Sequence, residues 1–499
     1  YRHGYYYGII SAVPADQYQL GPGAQESADR GQLYGNDTIG MMKEGSLLWE
    51  GVYLGAGDSL KCSLSICFST DLKSLKKMLR DIRSKDTWEM MGNTVKYWHD
   101  FLAGARQINT GIPEIDRLYK RSLLVFSLMT NKRTGALLAA PEVDEQFTRC
   151  GRYAYCWGRD AAFITAALDC CGLTDAAEGF YYWAAGVQDE DGSWQQRFYM
   201  DGNLAPSWGL QIDEGGSIIW GILQHYNVTK SMDFLSRLWP CVNKGVDFLV
   251  RYTDNETGLP WLSFDLWEER LGEHAYSSAA VCAGIEAGAR IAELLGKPPE
   301  LAEEWREHAG RLREAIFRNF WKPEWNRFLR SIRVKLNGWG EEHTDRKIWL
   351  KANDKSIARD YTMEDGTLDI SMLGLSVPFG LYPADDAHMT STADILERQL
   401  EVGGTGGLMR YEYDNYIGGN PWILTTLWAA LYNIERKNYE KAKEYFWWAV
   451  RGTTEQGFLP EQIDKLTGRP AWVIPLTWSH AMFVLVLDKL LDAGQLFQH

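Results

Sequence analysis

Positive charge is scarce in this chain. Lys and Arg number 52 against 66 Asp and Glu, a formal net charge of −14 at pH 7. This argues against nucleic acid, whose phosphates demand basic patches. Long apolar runs are also missing, and none approaches the ~20 residues of a membrane-spanning helix. The eight cysteines (62, 67, 150, 156, 170, 171, 241 and 282) show no zinc-like spacing. Cys170 and Cys171 fall within an apolar helical run and read as buried thiols. Free thiols favour a reducing compartment. No secretory signal is visible. The chain begins at Tyr1 rather than Met, reads as cut at its N-terminus, and so leaves secretion open.

What is abundant is aromatic surface: 22 Trp, 25 Tyr and 18 Phe. Indole and phenol rings present flat apolar faces with one polar handle, a surface on which the C–H face of a pyranose stacks. Most of these rings belong to a core. Those near Gly, Asp and Arg in loops are candidate sugar contacts. A length of 499 residues allows about three domains, and a core of that size is buried without staples.

Residues 1–70 read as β. In 46–71 the residues Leu60, Cys62, Leu64, Ile66 and Phe68 alternate onto one face, and the glycine-rich turn before Asp58 suits a hairpin. Residues 71–109 read as a helical linker. From 110 to 499 the pattern is one of repeated helices, about twelve from 113–130 to 477–493, including one at 367–380. Paired as hairpins they make a mainly α fold, an (α/α)6 barrel. Alternate connections are long: 140–157, 188–212, 254–275, 321–366, 403–420 and 452–476. Falling after every second helix, they gather at one end of the barrel, and long loops in a compact domain are usually functional.

Those loops carry the chemistry. RYAYCWGRDAAF (152–163) ends with Arg159 and Asp160 opening a helix. That is either a helix cap or a guanidinium and carboxylate gripping sugar hydroxyls, and Tyr153 and Trp157 favour the second. WGLQIDE (208–214) holds Trp208 ahead of Asp213 and Glu214, which also read as helix-start charge. DLWEE (265–269) puts Glu268 and Glu269 after the apolar run LPWLSFDL. Apolar surroundings and a like charge both hold a carboxyl protonated, as a general acid requires. RYEYDNYIGGNPW (410–422) offers Arg410, Asp414, Tyr416 and Trp422, and its glycines do not match a phosphate-binding loop. LPEQ (459–462) holds Glu461 and Gln462, and LTWSHA (476–481) holds Trp478. Two carboxyls in an aromatic cleft, Glu268 and Glu461, are what glycosidic hydrolysis needs.

In this order the six motifs, from about residue 110 to 493, resemble the glucoamylase-type α-glucosidases of glycoside hydrolase family 15. The region before 110 resembles the end of the β-sandwich that precedes the barrel in bacterial members. The resemblance implies an inverting hydrolase acting at the non-reducing end of an oligosaccharide or α-glucan. It implies Glu268 as general acid and Glu461 as general base. Arg159, Asp160 and Arg410 would bind the terminal glucose, and Trp157, Trp208, Trp422 and Trp478 would wall the pocket. Tyr153, Glu269 and Gln462 would orient substrate, acid or water, and neither metal nor organic cofactor is required. Specificity for α-1,6-linked isomalto-oligosaccharides or for trehalose stays open, as does oligomeric state. A non-catalytic carbohydrate-binding domain and a phosphorylase are disfavoured by the presence of both glutamates.

Overall fold

A β-strand's period of two decides which residues share a face, but not which strand becomes the neighbour. The N-terminal region shows the difference. In the computed structural model, which describes residues 4–36, 44–51, 53–142, 152–335, 347–351 and 358–496, Leu64–Ser69 pairs antiparallel with Tyr6–Ser11. Gly45–Leu48 pairs instead with Gln17–Leu20 in a second small sheet. The expected hairpin over 46–71 is therefore corrected: its two strands lie in different sheets, although a turn does form at Gly55–Asp58. Leu64, Ile66 and Phe68 do share a face, and that face is exposed. Cys67 on the other face is buried. Cys150 and parts of the 140–157 and 321–366 connections lie outside the described residues.

The chain divides into two compact units, residues 1–101 and 102–499. The first holds helix α1 (Ala24–Asp29), α2 (Leu72–Arg83) and most of α3 (Thr87–Gly104). Asp71 caps α2, its carboxylate accepting from Ser74 N at 2.7 Å. Helix α2 packs on the strand pair, where a side chain at Gly8 would meet Leu79 at 2.7 Å.

The second unit is the barrel. Along the chain come α4 (Pro113–Met129), α5 (Gly158–Cys170), α6 (Thr174–Gly186), α7 (Ile212–Thr229), α8 (Met232–Arg251), α9 (Ala275–Leu294) and α10 (Pro299–Phe320). A 3-10 turn (Ile370–Leu375) follows, then α11 (Ala387–Leu400), α12 (Ile423–Glu435), α13 (Tyr439–Arg451) and α14 (Thr477–Asp492). Helices α5, α7, α9, the 3-10 turn, α12 and α14 are apolar nearly all round and form the inner ring. Each packs on the next, and α14 closes back on α5. The amphipathic α4, α6, α8, α10, α11 and α13 keep an exposed face outside. Small residues let α7 and α9 meet backbone to backbone: a Cβ at Gly216 would lie 2.5 Å from Ala280 O, and one at Gly284 2.8 Å from Gly216 Cα. This is the (α/α)6 barrel.

Two local expectations change. The helix expected over 367–380 is reduced to the 3-10 turn, because Pro378 lacks an amide donor and biases Val377 away from helix. The loops bearing the two glutamates also contain short strands. Ser263–Phe264 and Leu271–His274 bracket Glu268 and continue a five-stranded sheet with Ser331–Lys335, Ala358–Asp365 and Lys347–Lys351. Gln462–Ile463, next to Glu461, pairs with Pro470–Ala471. Strands of two residues are too short to leave an alternating pattern.

Long connections enter the inner helices at their N-termini. The opposite ends are joined by turns such as 171–173, 230–231, 295–298 and 436–438.

Candidate active site

The inner helix starts surround a cavity of about 400 Å³. Its floor begins at α5, whose N-cap is Trp157 in extended conformation. Gly158 permits a close crossing, since a Cβ there would lie 2.6 Å from Ile218 and 3.1 Å from Glu214 Oε2. Arg159 N donates to Glu214 Oε2 at 2.7 Å, and its guanidinium lies 3.2 Å from Asp160, 3.2 Å from Asp213 and 3.3 Å from Glu214. One buried cation faces three carboxyls. Burial pushes Asp160 up to about 6 against the pull of Arg159, and holds Glu214 well above the usual carboxylate range.

Glu268 sits on a turn built by Asp265. The Asp265 carboxylate accepts from Glu269 N at 2.8 Å and Arg270 N at 2.9 Å, and Asp265 O accepts from Glu268 N at 2.9 Å. Arg330 joins Asp265 to Asp369, reaching Asp369 at 3.0 Å, and Trp267 Nε1 donates to Asp369 at 2.9 Å. Burial alone would raise Asp265, but Arg330, His274 and the two amides bring it down to about 2. The turn places Glu268 at φ 64, a left-handed conformation that costs a non-glycine residue about 1–2 kcal/mol. Tyr413, Ile417 and Trp472, in two other loops at this end, are left-handed as well. Glu268 accepts from Trp157 Nε1 at 2.5 Å, and Arg197 Nη1 lies 3.6 Å from its other oxygen. Trp208, half-exposed, donates Nε1 to Glu268 O at 3.0 Å.

Glu461 is buried. It accepts from Tyr153 OH at 2.7 Å and from Gln462 Nε2 at 2.8 Å. Burial pushes it up to about 7, with both hydrogen bonds opposing. Burial and the Glu461 charge hold the Tyr153 phenol well above its ordinary value, so it stays a donor. Tyr416 OH lies 3.0 Å from Tyr153 OH and accepts from Trp472 Nε1 at 2.8 Å.

Arg410 forms the remaining wall. Asp414 grips it bidentately at 2.8 and 2.9 Å, and it donates to Glu269 at 2.9 Å. Its guanidinium packs over Trp267, Tyr416 and Trp422. Trp422 and Trp478 line the cavity and bury their Nε1–H groups without a protein acceptor among the described residues. Such groups are normally paired by ligand or water.

Of the residues singled out in the sequence, Tyr153, Trp157, Arg159, Asp160, Trp208, Glu268, Glu269, Arg410, Tyr416, Trp422, Glu461 and Trp478 line this cavity. Asp414 and Gln462 stand behind it, holding Arg410 and Glu461. Glu269, expected beside Glu268 as a like charge, is taken up by Arg410 and Tyr411. The charge next to Glu268 is Arg197. Sequence reasoning missed Arg197 and Tyr155 in the lining, and Asp265, Arg330 and Trp472 behind it. The first had a signal, an arginine within the aromatic stretch WQQRFY of a long loop. Among the described residues, no group of three or more His, Cys, Asp or Glu is placed to hold a metal ion.

At one end of a closed double ring of helices, Glu268 and Glu461 thus line one cavity among indoles. The chain belongs to the glycosyl hydrolases family 15, whose family profile matches residues 116–450. An uncharacterised glycosyl hydrolase of Methanocaldococcus jannaschii is 29% identical over 469 residues, 90% of this chain and 69% of that one. The isomaltose glucohydrolase of Kribbella flavida is 25% identical, covering 77% of this chain and 96% of its own length. A crystal structure of a bacterial glucoamylase complexed with acarbose superposes with a TM-score of 0.74 at 20% identity. It covers 99% of this chain and 72% of that one, a likeness of fold.

Proposed function

We propose that this family 15 enzyme is an exo-acting, inverting α-glucosidase that releases β-glucose from the non-reducing end of α-glucosides. Glu268 gives its proton to the glycosidic oxygen as the C1–O bond breaks. Glu461 takes a proton from a water whose oxygen bonds to C1 from the opposite face. Arg159, Asp160 and Arg410 grip the terminal sugar, and the tryptophans wall it.

One observation carries this reading. A single five-residue stretch tethers both carboxyls: Tyr153 donates to Glu461 and Trp157 to Glu268, with the two rings 6.3 Å apart. Each carboxyl thus has its own donor on the cavity wall, one carboxyl available as acid and the other as base. A buried floor at Arg159 and Asp160 suits an enzyme that takes chain ends.

Relatives include an isomaltose glucohydrolase and trehalases, which brings α-1,6 and α,α-1,1 linkages beside α-1,4. Proton NMR of the enzyme with maltotriose, isomaltotriose and trehalose in parallel tests both points. β-Glucose as first product from one of them is the expected result and names the linkage. From maltotriose or isomaltotriose, α-glucose as first product would mean retention and overturn the acid–base assignment; from trehalose, whose departing glucose is itself α, inversion gives α- and β-glucose in equal amounts and retention gives α-glucose alone.

A further inference from the structure

Among the described residues four arginines line the cavity: Arg152, Arg159, Arg197 and Arg410. Arg159 is paired with Asp160, Asp213 and Glu214, and Arg410 with Asp414 and Glu269. None of these carboxyls is a reacting group in the proposed chemistry. Arg197 differs. Its side chain is 9% exposed, and its guanidinium lies over Trp208 at 4.5 Å, Tyr155 at 4.9 Å and Trp157 at 5.3 Å. Nε donates to Pro206 O at 2.7 Å. Among the described residues its one ion pair is with Glu268, at 3.6 Å.

Glu268 can donate a proton only while it carries one. In that state it has no charge, and Arg197 becomes a buried cation without an anion. Aromatic faces offset part of that cost, but a buried charge needs a counter-charge. Arg197 packs on the half-exposed Trp208, which itself donates to the Glu268 carbonyl. Arg159 and Asp160 stand at the start of α5, on the cavity floor. With the terminal sugar held by Arg159 and Asp160, the departing group carries the oxygen that Glu268 protonates, and Arg197 lies 3.6 Å from Glu268.

We infer that the leaving-group side takes an aglycone bearing a negative charge, a carboxylate or a phosphate, and that Arg197 recognises it. The inference rests on the acid role proposed for Glu268. An anion there pairs with the guanidinium fork and supplies the counter-charge that a protonated Glu268 does not. A neutral aglycone supplies none.

Matched substrates test this. The carboxylate arm compares maltobionate with maltitol and isomaltobionate with isomaltitol, and the phosphate arm compares trehalose 6-phosphate with trehalose. At low ionic strength, wild type should prefer the charged member by about tenfold or more in kcat/KM in at least one arm, the preferred arm naming the anion. In Arg197→Gln the two members should come within about twofold of each other, Arg197→Lys should keep part of the preference, and salt should compress it. Equal cleavage of every pair by wild type overturns the inference, as does a preference that survives Arg197→Gln. If wild type cleaves none of the pairs, the hydrolytic reading is what has failed. Calorimetry on Glu461→Gln then decides the anion site on its own. Tighter binding of a charged member, lost on adding Arg197→Gln, sustains it; equal binding or none overturns it.

Discussion

In the proposed chemistry Glu461 works as a base while its surroundings favour its neutral form. With burial pushing it up to about 7, kcat/KM of the free enzyme should rise with pH through about 7 and fall away below. The Tyr153 hydrogen bond opposes the upward shift. Tyr153→Phe should therefore move that limb further alkaline, and a pH profile of the mutant that overlays wild type would separate Tyr153 from the base. The same shift links to stability. A folded-state value of about 7 against an ordinary 4.5 means the contribution is full below about 4.5 and is lost as pH rises through about 7. Glu461→Gln should cost about 10²–10⁴ in turnover. Thermal melts should show it at least as stable as wild type at pH 8, with that advantage gone near pH 4.

The element that matters most is the turn at 265–270, because it sets a left-handed glutamate against two indoles. Its shape depends on Asp265, and Asp265 depends on Arg330. Arg330→Met would leave two buried carboxylates without their cation, which costs about 3–5 kcal/mol. Urea unfolding should show that loss, and steady-state kinetics should show kcat falling more than KM. An unchanged kcat would assign the shape of the turn to its strands alone. This turn also marks the boundary of what was legible in the sequence. The helices were visible because an inner helix such as α9 is apolar nearly all round and an outer one such as α10 is amphipathic. The site loops were visible because Trp, Gly and acidic residues cluster in them. Asp265 and Arg330 were not, since they are 65 residues apart and look like ordinary charges until the fold buries them together. Arg197, by contrast, stood in the aromatic stretch WQQRFY of a long loop and could have been found. The partner of Leu64–Ser69 was hidden because alternation names a face and no neighbour.

For the molecule as a whole, the contact that holds the ring tight is the crossing of α7 and α9. Gly216→Ala puts a methyl 2.5 Å from Ala280 O, a backbone atom that cannot rotate aside. The two helices would have to separate, at about 1–3 kcal/mol. Since α7 also carries Asp213 and Glu214 beneath Arg159, activity should fall together with stability. Denaturant midpoints and kcat/KM measured on one preparation would show whether the losses track each other. Stability falling with activity intact would mean the floor tolerates a wider ring.

The unequal ends of this barrel carry an evolutionary consequence. The loops that carry the site arrive on the cavity side, and the reverse side, apart from the stretch 376–386, is closed by turns as brief as residues 230–231. Rewriting one loop changes one stretch of the cavity rim and leaves the circle of helices untouched. A lineage built this way can exchange the sugar linkage or the departing group it accepts by small independent edits, while selection on the reverse side has only to keep the circle round.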